Sequence, residues 1–275
     1  MKKILSGMLA AVLVLGMVFA FAGCGDKKED TLICGVTIFK PMNFKDDAGN
    51  WTGFDTEFAQ KVAEKLGMKA EFQIIEWDNK YLELEAGTIN CIWNGFTGWD
   101  GVTGESATDG DKKRSDSVDF SYGYMLNQQC VVIKADRADE FTSVEDLDGM
   151  TVAAEKGSAG EEAATEVIGD DGKIIDSAAQ IDTFLEVLAG DVDCAIVDIL
   201  LAQELIGKGN YADLTIAADI QMGSEVYAIG FKKGSDLTAR VNTAMKDLYD
   251  SGVLKTLAEK YGIEHCLVLD TTFKG

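Results

Sequence analysis

Short apolar runs alternate along this chain with segments in which apolar residues recur every three or four positions. Residues 32–38 form an apolar run typical of a buried strand, and Ala59, Val62 and Leu66 follow at helical spacing before Gly67. The alternation continues to the C-terminus, with strands predicted at 70–75, 89–93, 150–154, 193–197, 214–217 and 226–231, and helices at 79–86, from 159, and around 181–188, 199–206, 241–248 and 254–261. Alternating strands and helices predict βαβ units with parallel sheets, arranged as one long sheet or as two smaller lobes.

One stretch, residues 98–111, breaks this alternation. It is rich in glycine and aspartate and has no apolar periodicity, which is typical of a loop. Its aspartates lack the spacing of a calcium-binding loop. The sequence therefore predicts a mobile surface insertion at this point.

The first residues have the pattern of a secretion signal. Lysines at positions 2 and 3 precede an apolar run over residues 4–21, and the small residues Ala22 and Gly23 then precede Cys24. This ending resembles a bacterial lipobox, which implies a lipoprotein signal peptide over residues 1–23, a lipidated Cys24 and a polar tether over 24–30. An uncleaved anchor helix and an ordinary signal peptide are the alternatives. A cysteine carrying more than one acyl chain, palmitate for example, would hold the mature chain on the outer face of the cell membrane.

Composition argues against several classes of function. The formal net charge of −22 disfavours nucleic-acid binding, which requires a basic face against the phosphates. A single histidine, His265, and the lack of any CxxC pair leave no zinc spacing and disfavour a histidine-dependent triad. No HExxH, P-loop or GxGxxG motif occurs. We therefore expect no metal, no cofactor and no catalytic residue.

Cysteines and one helix start carry the remaining local signals. Cysteines follow at positions 34, 91, 130, 194 and 266, and the first four lie in apolar strand-like runs, so we predict buried thiols, with a disulfide as the alternative. Ser158 followed by Glu161 is a capping box. The N–H groups that open such a helix suit a carboxylate or a phosphate, although an ordinary N-cap explains the same pattern.

A series of sequence blocks, taken in order, resembles the polar amino acid-binding receptors of ABC transporters, the bacterial extracellular solute-binding proteins of family 3. The clearest are GxIxxIxxGxT at 87–97, RxxxVDFSxxY at 114–124 and LAGDVDCAIVD at 188–198. Further blocks occur at 41–44, 51–67, 143–158 and 248–262. Each block is weak alone, but together they cover nearly all of the chain that follows the signal.

The resemblance implies a two-lobed α/β fold of the type II periplasmic-binding-protein kind. Each lobe would be a mixed, mostly parallel sheet with flanking helices, and two strands would form the hinge. The first lobe would comprise residues 31–128 plus 223–275, and the second residues 129–222. A ligand would bind between the lobes, which close on it.

The resemblance also implies the residues that hold the charged ends of an amino acid. Arg114 corresponds to the family's arginine that binds the α-carboxylate, and Asp198 to the aspartate that binds the α-ammonium. These types suit the task, because arginine pairs with carboxylates through a planar fork and aspartate accepts from an ammonium. Ser158 and Ala159 would meet the carboxylate at a helix N-terminus, where the dipole adds positive potential.

The rest of the implied site lies in the first lobe. Gly95 and Thr97 would supply further hydrogen bonds, Phe39 and Trp77 would flank the ligand side chain, and Asn94 would hydrogen-bond a polar side chain.

Two departures from the family pattern bear on the ligand. The insertion separates Thr97 from Arg114, so Lys112 and Lys113 compete for the role of carboxylate anchor. In addition, family receptors for basic amino acids carry an acid after the first strand, where residues 36–39 here are uncharged. This favours an uncharged polar amino acid.

The sequence thus predicts an extracytoplasmic, lipid-anchored, monomeric receptor that passes a free amino acid to an ABC permease. One alternative is an enzyme on the same fold that dehydrates cyclic amino acids, with Glu76 or Glu155 as general acid, although both are predicted to lie at the surface. The other alternative is the ligand-sensing ectodomain of a signalling protein.

Overall fold

The structure is a computed structural model that describes residues 30–273. The predicted signal peptide, Cys24 and nearly all of the predicted tether lie outside the described residues. The strands are β1 (Asp30–Val36), β2 (Phe44–Lys45), β3 (Trp51–Thr52), β4 (Met68–Ile74), β5 (Cys91–Ile92), β6 (Thr97–Asp100), β7 (Thr108–Asp109), β8 (Lys112–Lys113), β9 (Val118–Phe120), β10 (Gly123–Lys134), β11 (Thr151–Glu155), β12 (Lys173–Ser177), β13 (Cys194–Asp198), β14 (Leu214–Ile216), β15 (Ser224–Tyr227), β16 (Gly230–Lys232) and β17 (Leu267–Asp270). The α-helices are α1 (Phe54–Leu66), α2 (Lys80–Ala86), α3 (Arg114–Ser117), α4 (Ala159–Val167), α5 (Gln180–Ala189), α6 (Ile199–Leu205), α7 (Leu237–Asp250) and α8 (Val253–Lys260).

A five-stranded sheet in the order β4-β1-β5-β16-β9 forms the first lobe, together with the helices packed around it. Strand β1 pairs in parallel with β4 and β5, and β16 pairs antiparallel with β5 and β9. Helix α1 buries Phe54, Phe58 and Val62 in the core. It ends at Leu66 as the sequence predicts, because Gly67 takes the left-handed φ of 68° that a glycine adopts freely.

The second sheet has the order β12-β11-β13-β10-β15-β6. Its parallel strands β11, β12 and β13, with α4 and α5 packed on them, form the second lobe. Strand β10 is long enough to serve both lobes: its first half pairs with β15 and its second half with β13. The chain therefore leaves the first lobe through β10 and returns through β15, so these two strands join the lobes.

Residues 98–111 do not form the unstructured loop that the sequence predicts. Strand β6 pairs with β15, and β7 pairs with β8 to make a short hairpin. Trp99 is buried and stacks on Phe273 with ring centroids 4.3 Å apart. The prediction failed because Gly98 is a packed strand residue here, where an added Cβ would lie only 3.2 Å from Ala228.

The cysteine prediction is confirmed for four positions, since Cys34, Cys91, Cys130 and Cys194 are buried free thiols. The Sγ atoms of Cys34 and Cys91 lie 3.6 Å apart, too far for a covalent bond. Burial raises the pKa of the Cys34 thiol well above its usual value. Within residues 30–273, no helix combines the length and the apolar character needed to cross a bilayer.

Candidate functional site

Eight of the nine ligand-site residues predicted from the sequence line one small compartment between the two lobes. Its volume is only about 10 Å³, roughly the space of one water molecule, so the residues of the two lobes lie close together here. The lining residues are Trp77, Asn94, Gly95, Thr97, Arg114, Glu155, Ser158, Ala159, Gln180 and Asp198.

Arg114 is the main cation on the first-lobe wall. It opens α3 directly after the hairpin β7–β8 and is 1% exposed. Its Nε donates to Asp109 Oδ1 at 2.9 Å and its Nη1 to the Thr97 carbonyl at 3.1 Å, while the ring of Phe96 lies 5.2 Å from the guanidinium carbon. Nη2 lies 2.9 Å from Asp109 Oδ1 but makes no hydrogen bond with any described residue. The buried guanidinium thus keeps a free donor for an incoming anion.

The insertion places Asp109 beside Arg114 and also reaches the second lobe. Thr108 donates its hydroxyl to Glu162 on α4 at 3.1 Å, and the Gly110 N–H donates to the same carboxylate at 3.0 Å. Asp109 also accepts from the hydroxyl of Tyr81. Residues that the sequence placed in a surface loop therefore orient Arg114 and bridge the cleft.

Asn94 and Gly95 line the compartment from the first lobe. Asn94 Oδ1 accepts from the N–H and the hydroxyl of Thr37, at 2.8 and 2.7 Å, which commits it to the fold. The Gly95 N–H donates to the buried carboxylate of Asp55 at 2.8 Å. Gly95 has a φ of 57°, and an added Cβ would lie 2.4 Å from the ring of Phe39.

Phe39 is the one predicted ligand-site residue that the structure does not bring into the compartment. It is 2% exposed and packs edge-on against Tyr227, with ring centroids 6.4 Å apart. The missing side chain at Gly95 leaves room for its ring behind the wall. Trp77, the other predicted aromatic, does line the compartment and meets Phe96 edge-on at 5.6 Å.

The second-lobe wall opposes Arg114 with the start of α4. The Ser158 hydroxyl accepts the Glu161 N–H at 3.1 Å, so Ser158 caps the helix as predicted. The Glu161 carboxylate accepts from the Gly157 N–H at 2.6 Å and not from Ser158, so only half of the predicted capping box forms. Ala159 is the first residue of α4 and lines the compartment. The N-terminal end of the helix therefore adds positive potential on the side where Arg114 lies.

Asp198 ends β13 and is held by three amide groups. Its Oδ1 accepts from Asn127 Nδ2 at 2.6 Å and from Gln129 Nε2 at 2.7 Å, while Oδ2 accepts from Gln180. Gln180 also accepts the Asp198 N–H at 2.9 Å through its Oε1. Asp198 is 4% exposed, so its carboxylate faces the compartment from a fixed position.

Lys80 is a further cation that the sequence analysis did not single out. It extends from α2 in the first lobe and donates to the carbonyl of Gly157 in the second lobe at 2.9 Å. Its Nζ lies 4.0 Å from Asp109 and 5.3 Å from the Trp77 ring centroid. Burial lowers its pKa to about 8, with the charge of Arg114 acting in the same direction. No local pattern marks Lys80, because its burial depends on the opposite lobe.

Two buried carboxyl groups, Glu155 and Glu225, also belong to this region. Glu155 ends β11, lines the compartment and is 2% exposed, so the prediction that it lies at the surface is wrong. Glu76, its predicted counterpart, is exposed. Glu225, on the connecting strand β15, lines a larger cavity of about 530 Å³ that adjoins the compartment at Thr97 and Arg114.

Comparison with known proteins defines the class. Residues 32–264 match the model of the bacterial extracellular solute-binding proteins, family 3, and the chain belongs to this family. The resemblance found in the sequence is thereby confirmed, as is the two-lobed α/β fold.

The relatives are amino-acid-binding proteins. The chain is 29% identical to the L-cystine-binding protein TcyJ of Escherichia coli strain K12, over 94% of this chain and 95% of the relative. It superimposes on an ancestral arginine-binding protein bound to arginine with a TM-score of 0.74 and 29% identity, covering 85% of this chain and 98% of the other. An ancestral amino acid-binding protein described as a precursor of cyclohexadienyl dehydratase gives a TM-score of 0.71 and 30% identity, over 84% and 95%.

Proposed function

We propose that this chain is the amino-acid receptor of an ABC uptake transporter. It captures a free amino acid between its lobes by hinge closure and delivers it to the membrane permease. The observation that carries this proposal is the opposition of an anion-binding wall and a cation-binding wall across one small compartment. A free amino acid is a zwitterion, and both of its charges must find partners when the lobes exclude water.

The anion-binding wall suits the α-carboxylate. Arg114 has a buried Nη2 without a hydrogen-bond partner among the described residues. Ser158 and Ala159 present the first N–H groups of α4 from the opposite lobe, and Thr97 lies beside the guanidinium. A carboxylate placed here would receive charge-assisted hydrogen bonds from both lobes, which makes the ligand itself a contact that favours closure.

The cation-binding wall suits the α-ammonium. An ionised carboxylate offers about four acceptor positions, and the amides of Asn127, Gln129 and Gln180 occupy three of those of Asp198. The remaining position accepts an N–H of the ligand. The amides fix the carboxylate in place before the ligand arrives, which lowers the entropic cost of binding.

Ligand binding is tested with purified protein and the twenty common amino acids with cystine, each at high concentration. We expect at least one to raise the melting temperature, since a ligand at one hundred times its Kd stabilises the native state by about 2.7 kcal/mol. Mass spectrometry of the released ligand should return its unchanged mass. If none of these compounds shifts the melting temperature, the proposal fails.

One observation favours a second candidate, the enzymatic dehydration of a cyclic amino acid. Glu155 lies in the compartment, and burial raises the pKa of its carboxyl to about 8, so it carries a proton at neutral pH as a general acid must. The same mass measurement, made with a cyclohexadienyl amino acid, separates the two functions: an enzyme would return an aromatic product, lighter by one water and by the carbon dioxide of any ring carboxylate lost with it, whereas a receptor would return the ligand unchanged.

We also propose that Cys24 carries the lipid that anchors the monomeric receptor outside the cytoplasm. The support is the small pair that precedes Cys24 directly after the apolar run of the signal. Metabolic labelling with a fatty acid tests it, with Cys24→Ala expected to lose the label and Cys266→Ala to keep it. Equal labelling of Cys24→Ala and the parent would refute the anchor.

A further inference from the structure

Glu155 presents a carboxyl group to the compartment between the lobes. Neither charge of a simple zwitterion pairs with this carboxyl group in the arrangement proposed above. It is the last residue of β11, and Asp198 is the last residue of the neighbouring parallel strand β13. The carboxyl ends of these strands therefore place both acids at the same edge of the sheet. Glu155 Oε1 is buried and has no hydrogen-bond partner among residues 30–273.

An unpartnered buried carboxyl group is costly, because it has lost its water without gaining a donor. Lys80 is a nearby cation, but its Nζ donates to the Gly157 carbonyl and lies 4.0 Å from Asp109. Arg114 is paired with Asp109 as well. Lys80 thus has partners of its own, and the one unpartnered nitrogen of Arg114, Nη2, is assigned above to the ligand carboxylate, so Glu155 Oε1 still lacks a donor.

Glu225 adds a further carboxyl group to this region, and burial raises its pKa to about 8. Asn127 Nδ2 and Gln129 Nε2 each donate to both Asp198 Oδ1 and Glu225 Oε1, which brings these two carboxyl groups together. With Glu155 and Glu225 largely protonated at pH 7, the charges of the surrounding acids and bases balance. A zwitterion held by Arg114 and Asp198 leaves Glu155 Oε1 without a donor. The groups concerned are four acids and two bases: Asp109, Glu155, Asp198 and Glu225, with Lys80 and Arg114.

Building on the function proposed above, we propose that the ligand is a basic amino acid and that Glu155 receives its side-chain cation. Asp198 and Arg114 then hold the α-ammonium and the α-carboxylate, and Trp77 offers an apolar face to the methylene stem of the ligand. Glu155 is the specificity-determining residue. It supplies from β11 the acid that is missing after β1, so the uncharged segment at 36–39 does not prevent recognition of a cation.

The charges around Glu155 give this proposal a measurable consequence. Burial, followed by the charge of Asp198, raises the pKa of the Glu155 carboxyl to about 8, and Asp182 acts in the same direction. The charge of Lys80 and a hydrogen bond from the Gln180 side chain oppose them. The group is therefore largely protonated at pH 7 in the free protein. A ligand cation placed against it lowers its pKa again, so binding of a basic amino acid releases a proton.

Titration calorimetry of the purified protein tests this with arginine and citrulline, which differ mainly in side-chain charge, and with lysine and glutamine. Measurements at pH 7 in two buffers of different ionisation enthalpy report the proton release. We expect arginine or lysine to bind at least about tenfold more tightly than its uncharged counterpart and to release a proton. Glu155→Gln should lose both the preference and the proton release and still bind, whereas the exposed matched control Glu76→Gln should keep both.

Two results would overturn the assignment. One is an uncharged amino acid that binds as tightly as the basic ones, which would favour the uncharged polar ligand predicted from the sequence. The other is a Glu155→Gln protein that retains the preference for a cation. Either result leaves amino-acid capture intact, whereas failure of every amino acid to bind refutes the proposed function itself.

Discussion

The two walls of the cleft differ in how they are built. The anion-binding wall combines one arginine with a helix N-terminus, and both occur within sequence blocks of the family. The cation-binding wall gathers carboxyl groups from the ends of separate strands, Glu155 from β11, Asp198 from β13 and Glu225 from β15. The residues proposed to hold the invariable charges of an amino acid, Arg114 and Asp198, are marked in the sequence, whereas Glu155 and Glu225 reach the cleft only through the three-dimensional arrangement.

The largest expected effect lies on the anion-binding wall. Arg114→Ala should weaken amino-acid binding by about a hundredfold or more, since leaving a buried charge unpaired costs about 3–5 kcal/mol. Titration calorimetry measures the loss. Lys113→Ala removes the exposed neighbouring charge and should change little. The double variant Asp109→Asn with Arg114→Ala is the folding control. It removes both members of the ion pair, so no unpaired charge is left to destabilise the fold, and its binding should be lost as in Arg114→Ala.

If Lys113→Ala, and not Arg114→Ala, abolished binding, the carboxylate would lie elsewhere and the proposed wall would be wrong. The same experiment, extended to Lys112→Ala, decides which of Arg114, Lys112 and Lys113 anchors the carboxylate.

A somewhat smaller effect is expected on the cation-binding wall. Asp198→Asn keeps the shape but removes the charge that faces the α-ammonium, and one charge-assisted hydrogen bond contributes about 1.5–3 kcal/mol. We expect an affinity loss between roughly tenfold and a hundredfold. The exposed acid Asp219 in the same lobe provides the control through Asp219→Asn. If Asp198→Asn and Asp219→Asn bound the amino acid with equal affinity, Asp198 would not contact the α-ammonium.

The insertion provides a test of how the anion-binding wall is held in place. Asp109→Asn leaves Arg114 in the fold but weakens the contact that orients it, so we expect an affinity loss of about tenfold or less, the size of one partly exposed charged contact. Asp111→Asn, two residues away and exposed, should bind like the parent. If Asp109→Asn and Asp111→Asn bound the amino acid with equal affinity in calorimetry, the β7–β8 hairpin would have no role in orienting Arg114.

The last prediction concerns the pH dependence of stability and not ligand affinity. Burial raises the pKa of Asp55, behind the anion-binding wall, to about 7, although Gly95 and Tyr124 donate to its carboxylate. Between about pH 4 and pH 7 the native state then holds a proton that the unfolded chain has lost, so this group makes the free energy of unfolding fall as pH rises. Denaturant unfolding across this range should show a shallower fall for Asp55→Asn than for the parent. The exposed Asp47→Asn should follow the parent, and identical slopes for all three proteins would contradict the assignment.

Local signals made much of the fold predictable from the sequence. The end of α1 at Gly67 and the cap of α4 at Ser158 depend on neighbouring residues, so the pattern alone locates them. The insertion was misjudged because Gly98 and Trp99 belong to a strand whose partner, β15, lies more than a hundred residues further on. A glycine-rich composition does not reveal such a distant pairing.

The site was predictable where a residue type is tied to a motif, and less so elsewhere. Arg114 and Asp198 lie where the resemblance placed them, but Phe39 packs into the core behind Gly95, because the missing side chain there makes room for a ring. Glu155 comes at the end of an apolar strand, where an exposed acid is equally common, so its sequence context does not indicate burial. No local sequence pattern identifies Lys80. Lys80 donates across the cleft to Gly157, and Glu155 is buried among residues distant in sequence, so both positions depend on tertiary structure.

Small-angle X-ray scattering measures whether the two lobes close on an amino acid. The radius of gyration is measured for the parent and for Arg114→Ala, with and without the amino acid that gives the largest thermal shift. We expect the ligand to reduce the radius of gyration of the parent, because the lobes close. The radius of gyration of Arg114→Ala should stay the same at the same ligand concentration. A parent protein that binds the amino acid calorimetrically but keeps the same radius would contradict it.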